Sequence, residues 1–278
     1  MRSGIICGVQ TMKQSHFFSF LYRAFHNSGF RFSFVLGLLI AIFQVIQMYC
    51  PINTGFVYPT SLYEMWLGGE WVSYSSSLVF VLLPLTATLP FSSSLAEDRK
   101  SGYLVQLLIR QKRYAVFFQY AAASFLSGFV AAALPFLENL VVNASIYPAL
   151  VPQPTTGTFS PFLRGFMIDL FYTRPLLYCL MYVLLIGIFF GSVACLGMAL
   201  CFYIQSPILI HLSVSAAYLS VCYLTIALGR DSWNPCILLN PSQVTVFQLR
   251  IYLIYVIGML TVSALLIAIS GKKYECIT

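Results

Sequence analysis

Six long apolar runs decide what this chain can become. They cover residues 32–48, 72–91, 117–142, 175–203, 207–228 and 251–270. A helix needs about 20 apolar residues to cross the roughly 30 Å hydrocarbon core of a bilayer, and each run reaches the spanning range. The fourth run is the longest, but two spans would need more. The remainder cannot supply a water-facing coat, because only 8% of the 278 residues are charged, against about 25% in an average soluble domain. The expectation is an all-α membrane protein with six transmembrane helices in one domain, 1–278.

An even number of spans puts both termini on one side. With that side cytoplasmic, the inner segments hold Arg2, Lys13, Arg23, Arg31, Arg99, Lys100, Arg110, Lys112, Arg113, Lys272 and Lys273. The outer segments hold Arg164, Arg174, Arg230 and Arg250. Basic residues gather on the cytoplasmic side of membrane proteins, so this asymmetry puts both ends inside. The net charge of +7 is therefore a topology signal, and nucleic acid is not an expected partner.

Between the second and third runs lies the loop 94–114. It carries Glu97, Asp98, Arg99, Lys100, Arg110, Lys112 and Arg113. Read as helix, Tyr103, Leu104, Leu107 and Leu108 share one face, with Gln106, Arg110 and Arg113 opposite. Such a segment is too polar to cross lipid and too apolar to float free. It lies against the membrane or against another protein, and composition leaves the two open.

Residues 1–31 read as a cytoplasmic interfacial segment with no cleavable signal pattern. Phe17, Phe20, Leu21, Ala24 and Phe25 form a stripe opposite Gln14, Ser19, Arg23, His26 and Asn27, which predicts a helix lying in the inner interface. In the first outer loop, Tyr63, Trp66 and Trp71 read as headgroup anchors, and Glu64 and Glu70 as solvated acids. The second run mixes Ser73, Ser75, Ser76, Ser77, Thr86 and Thr88 with Pro84 and Pro90. Hydroxyls on a kinked span fit either a lined path or close helix packing. Ser76, Thr86, Thr88 and His211 are the candidate path-lining residues. His211, one turn after Pro207, is an ionisable group inside a span, for which a hydrogen-bonded structural role is the simpler account. Glu138 reads as a solvated acid near the outer boundary. Asn143-Ala-Ser145 matches a glycosylation sequon that hugs the membrane. Beyond it lies a Pro/Thr-rich outer segment. Gly187 and Gly191, four apart, predict a close helix approach.

The eight cysteines show no metal spacing, and Cys50 with Cys236 is the one extracellular pairing the topology permits. No phosphate loop, zinc-protease motif or nucleophile elbow occurs, and His16, His26 and His211 are not placed to meet. No catalytic residue, metal or cofactor is expected, so the chain reads as not an enzyme. Its energy source would be a partner.

The sequence LPLTATLPFSSSLAEDRKSGYLVQLLIRQKRYAVFFQY resembles the second-span exit of permease subunits of type-2 ABC exporters. That pattern has an acidic residue, a basic residue and a glycine, then a leucine-rich helix, a basic cluster and re-entry. The inner amphipathic segment, the six spans and the tight turn between spans four and five fit the same family. The topology covers the whole chain and the motif about residues 84–128. The likeness is closest to a small-subunit group mostly from Gram-positive bacteria, which implies a multi-pass protein of the plasma membrane. Many members carry a proline in the loop and a lysine at the start of span three, where this chain has Ile109-Arg110-Gln111 and Gln119.

The resemblance implies that residues 99–110 form a coupling helix seated on separate cytoplasmic ABC ATPase subunits. Its docking set would be Glu97, Asp98, Arg99, Lys100, Gly102, Tyr103, Leu104, Leu107, Leu108 and Arg110. The leucines would fill a groove, and Arg110, Lys112 and Arg113 would meet acidic surface or lipid phosphates. It further implies a second permease, self or sister, and an amphipathic or lipid-like substrate moved by alternating access. The alternative from another class is a non-transporting scaffold or sensor that recruits a cytoplasmic partner through the same loop.

Overall fold

A computed structural model describes residues 17–52, 61–67, 74–152, 166–241 and 247–272, with the side chains of 48–52 excepted. Residues 1–16, Glu70, Trp71, Ser73, the side chain of Cys50, most of the Pro/Thr-rich segment, Lys273 and Cys276 lie outside the described residues. Eleven α-helices follow one another, with no strand among the described residues. They are α1 (17–26), α2 (Ser28–Ile52), α3 (Tyr74–Thr88), α4 (Ser94–Lys100), α5 (Tyr103–Arg110) and α6 (Arg113–Ala144). Then come α7 (Ile168–Thr173), α8 (Pro175–Leu200), α9 (Pro207–Ala227), α10 (Pro235–Leu239) and α11 (Leu249–Gly271).

Five of these, α2, α6, α8, α9 and α11, are long and apolar enough to cross a membrane. The second run is shorter than expected: α3 has 15 residues, about 22 Å of helix. It stops at Thr88 because Pro90 disfavours helical backbone at Leu89, and residues 89–93 form turns instead. In contrast, α6 extends beyond its apolar run to 32 residues, about 48 Å, so it projects past the hydrocarbon. The fourth run is one unbroken helix ending at Leu200.

α6 and α8 form the central pair. Small residues make their approach possible: Ala123, Ser124, Ser127, Gly128, Ala131 and Ala132 on α6 are buried. On α8, a Cβ at Gly187 would come within 2.6 Å of the Phe129 ring, and one at Gly191 within 2.9 Å of the Phe125 carbonyl. The glycine pair thus packs within this chain, against α6. Around this pair sit α2 and α3 on α6, α11 on α8, and α9 beside α3 and α8. Within the apolar window of α8, 72% of residues are buried, against 17% for α11. Exposed Leu253, Ile254, Ile257 and Leu265 on α11 and Ile208, Leu212 and Leu224 on α9 leave an apolar outer wall. That wall suits lipid and not water: the architecture is that of a multi-pass helical membrane protein.

The interior divides in two. The larger core joins the middles of α3, α6, α8 and α9 with residues of segment 61–67. The smaller one collects α1, α4, α5, the start of α6 and the end of α8. It carries the candidate site.

Candidate functional site

The loop 94–114 is two helices, not one. α4 ends at Lys100, and Gly102 turns the chain with φ of +77°. A side-chain-bearing residue is strained there, although a Cβ would meet nothing within 4 Å. α5 then sets off in a new direction. Its leucine face is already filled from within: Leu104, Leu107 and Leu108 are buried with Phe20, Ala24, Leu95 and Phe117. In this chain the leucines therefore pack against its own helices. Residues presented outward are Glu97, Lys100, Tyr103, Val105, Gln106, Ile109 and Arg110, with Ile109 71% exposed. Arg99 is half-buried, and its Nη1 donates to the Phe202 carbonyl at 3.4 Å.

Asp98 is likewise turned inward. Arg23 of α1 donates from Nη1 and Nη2 to its two carboxylate oxygens at 2.9 and 2.8 Å. The Tyr120 hydroxyl of α6 donates to the same carboxylate. A paired, fully hydrogen-bonded geometry is what a buried charge requires. The hydrogen bonds with Asp98 raise the Arg23 pKa further above its ordinary value. The guanidinium also lies 5.6 Å from the Tyr103 ring centroid and 6.0 Å from that of Phe91, within cation–π range. Three segments distant in sequence are thus bolted together at one end of the bundle. Cys201 Sγ donates to the Ser92 carbonyl at 2.9 Å, and Asn27 Nδ2 to the Pro90 carbonyl at 3.0 Å, so the α8–α9 turn and the end of α1 join the same assembly. α1 is not simply a helix lying on lipid, since Phe20 and Ala24 face the inner core while Phe18 and Tyr22 are exposed.

Of the path-lining candidates, the structure brings two together. His211 Nδ1 lies 3.1 Å from Thr88 Oγ1. The Thr88 hydroxyl also lies 3.0 Å from both the Pro84 and Leu85 carbonyls, so His211 and Thr88 are tied into the packing of α3 against α9. Thr86 bonds the Leu83 carbonyl, and Ser76 donates to the Leu67 carbonyl. These hydroxyls are spent on packing. An apolar crevice of about 160 Å³ lies elsewhere, between α8, α9 and α11, lined by Phe189, Leu196, Val214, Tyr218, Tyr255 and Met259.

At the opposite end, segment 61–67 is buried and not a surface loop. Trp66, expected among headgroups, is fully buried against Phe136 and donates Nε1–H to its carbonyl at 3.1 Å. Glu64, expected in solvent, is buried and accepts from the Ser61 N–H at 3.0 Å. Holding the segment is an amide network. Asn139 accepts from Leu67 N–H at 2.8 Å and donates to Gln44 at 2.9 Å, and Gln44 donates to the Met65 carbonyl at 2.8 Å. Asn143 donates to Met65 O and Asn139 Oδ1, so the sequon side chain is buried and engaged. Sequence reading missed this network, although Asn139 and Asn143 sit four apart on one helix face. Glu138 is not at an open surface either: both carboxyl oxygens are buried, and neither has a hydrogen-bond partner among the described residues. A Cβ at Gly37 would lie 2.4 Å from Glu138 Oε2.

Among the described residues, no three His, Cys, Asp or Glu side chains gather as a metal site would require. No family model, curated protein or solved structure matches this chain.

Proposed function

We propose that this chain is the membrane-spanning permease subunit of an ATP-driven exporter, docking a cytoplasmic ATPase through the α4–α5 corner. In this reading α3 crosses as a sixth span, both termini are cytoplasmic, and a second permease completes the transporter in the plasma membrane. The observation that carries it is the corner itself. Glu97, Lys100, Tyr103, Ile109 and Arg110 face outward on two short helices, while Asp98 ties them to α1 and α6. A push on such a corner is delivered to the central helix and not dissipated in a loop, which is what coupling demands. The docking set therefore shifts from the leucines to Ile109 and its charged neighbours. The apolar crevice supports an amphipathic or lipid-like substrate.

The test is co-purification with an ABC ATPase from the same cell, followed by ATPase assay in proteoliposomes. Ile109→Glu and Lys100→Glu are expected to weaken binding at least tenfold, about 1.4 kcal/mol, with an unchanged melting temperature. If no ATPase binds, or both variants bind and turn over normally, the permease reading fails and the scaffold reading gains.

A further inference from the structure

The topology permits Cys50 as an outer partner for Cys236, and the Cys50 side chain lies outside the described residues. The Cys236 sulfur lies 3.2 Å from Cys222 Sγ, at the end of α9 away from the α4–α5 corner. Asn234 holds the two backbones together independently of the sulfurs. Its Nδ2 donates to the Cys222 carbonyl at 3.1 Å, and its Oδ1 accepts from the Cys236 N–H at 2.9 Å. The Tyr218 hydroxyl lies 3.2 Å from Cys236 Sγ. Both cysteines line a cavity of about 210 Å³ between α3, α9 and α10, with Phe80, Tyr223 and Asn240 also in its wall. A disulfide needs about 2.05 Å between sulfurs, so closure requires little more than an ångström of travel.

We propose that Cys222 and Cys236 are a dithiol–disulfide pair on the outer face, oxidised by exchange with a disulfide-bearing oxidant. The outer placement rests on the asymmetry of basic residues, and outside the cytoplasm disulfides persist. Cys236 is the more exposed of the two, so it reacts first. Its thiolate attacks one sulfur of the oxidant, expels the other as a thiol, and leaves a mixed disulfide. The Cys222 thiolate then attacks Cys236 Sγ and expels the second thiol. The chain gives up two electrons and two protons, and the oxidant's disulfide becomes two thiols. The bond ties α10 to α9 and fixes one wall of the cavity. Asn234 acts as the positioning residue.

The experiment treats the full chain, in sealed right-side-out vesicles, with oxidised glutathione. The sample is quenched in acid, denatured and labelled with maleimide-polyethylene glycol. Reduced protein should show eight adducts, matching its eight cysteines, and oxidised protein two fewer. Cys50→Ser should still lose two, whereas Cys222→Ser should lose one, held as the unresolved mixed disulfide of Cys236 with glutathione, and Cys236→Ser should lose none. Trypsin cuts after Arg230, between the two cysteines, so non-reducing digestion of wild type should yield the 222- and 236-containing peptides joined. That readout holds even if a serine variant fails to fold. Equal adduct numbers with and without oxidant, or joined peptides carrying Cys50, overturn the proposal.

Discussion

The two ends of α6 solve one problem with different chemistry. Each end must hold a segment that does not span the membrane. Toward the corner, Tyr120 and Arg23 both donate to Asp98; toward the other end, Asn139 and Asn143 meet Gln44 and the backbone of 65–67. Tyr120 and Asn139 are nineteen residues apart, about 29 Å along the helix, close to the thickness of the hydrocarbon core. The charged cluster can rely on water, since the Arg23 side chain is 36% exposed. The amide network is fully buried and has no net charge to desolvate. A charge pair that keeps one foot in water can respond to a partner, whereas a sealed neutral network serves as an anchor.

Removing a charge should break this contrast most visibly. Arg23→Ala leaves the Asp98 carboxylate buried beside Tyr120 alone and should cost about 3 kcal/mol, read by denaturation in detergent. Asp98→Ala should cost less, because the freed guanidinium can turn to water. In the double variant the losses should fall short of their sum. At the other end, Asn139→Ala strands the Leu67 N–H and should cost about 2 kcal/mol. It should also move Trp66 emission, which Arg23→Ala should leave in place. Between the stations, Gly191→Ala forces α6 and α8 apart and should cost about 1–2 kcal/mol, weakening both ends together. The smallest stability effect belongs to Gly102→Ala, about 1 kcal/mol of backbone strain. Its larger consequence should be reduced stimulation of ATPase turnover, since the corner angle changes while the Arg23–Asp98 pair survives.

Helix-forming runs were legible because lipid imposes a length and a composition that a single sequence displays. The glycine pair on α8 was legible for a similar reason, since small residues at helical spacing have one common use. Burial of short segments was not. YEMW in a loop reads as an interfacial aromatic cluster, and nothing local reveals that Gln44 and Asn139, far away in sequence, wait to satisfy its backbone. Asp98 reads as one more charge in a charged loop until Arg23 and Tyr120 are seen around it. The leucines of α5 were correctly placed on one face, but periodicity cannot say whether that face meets the chain itself or another protein.

The sequence by itself determined that this chain is helical and apolar enough for a bilayer, which end of each helix carries basic charge, and where an amphipathic loop interrupts the runs. These follow from composition and period, which act locally. Only the tertiary structure decided that Cys236 meets Cys222, that Trp66 and Glu64 are interior, and that the α4–α5 corner offers Ile109 in place of its leucines. Each of those depends on which distant groups arrive to satisfy a buried polar atom or fill a face, and that is settled by the packing of α6 against its neighbours.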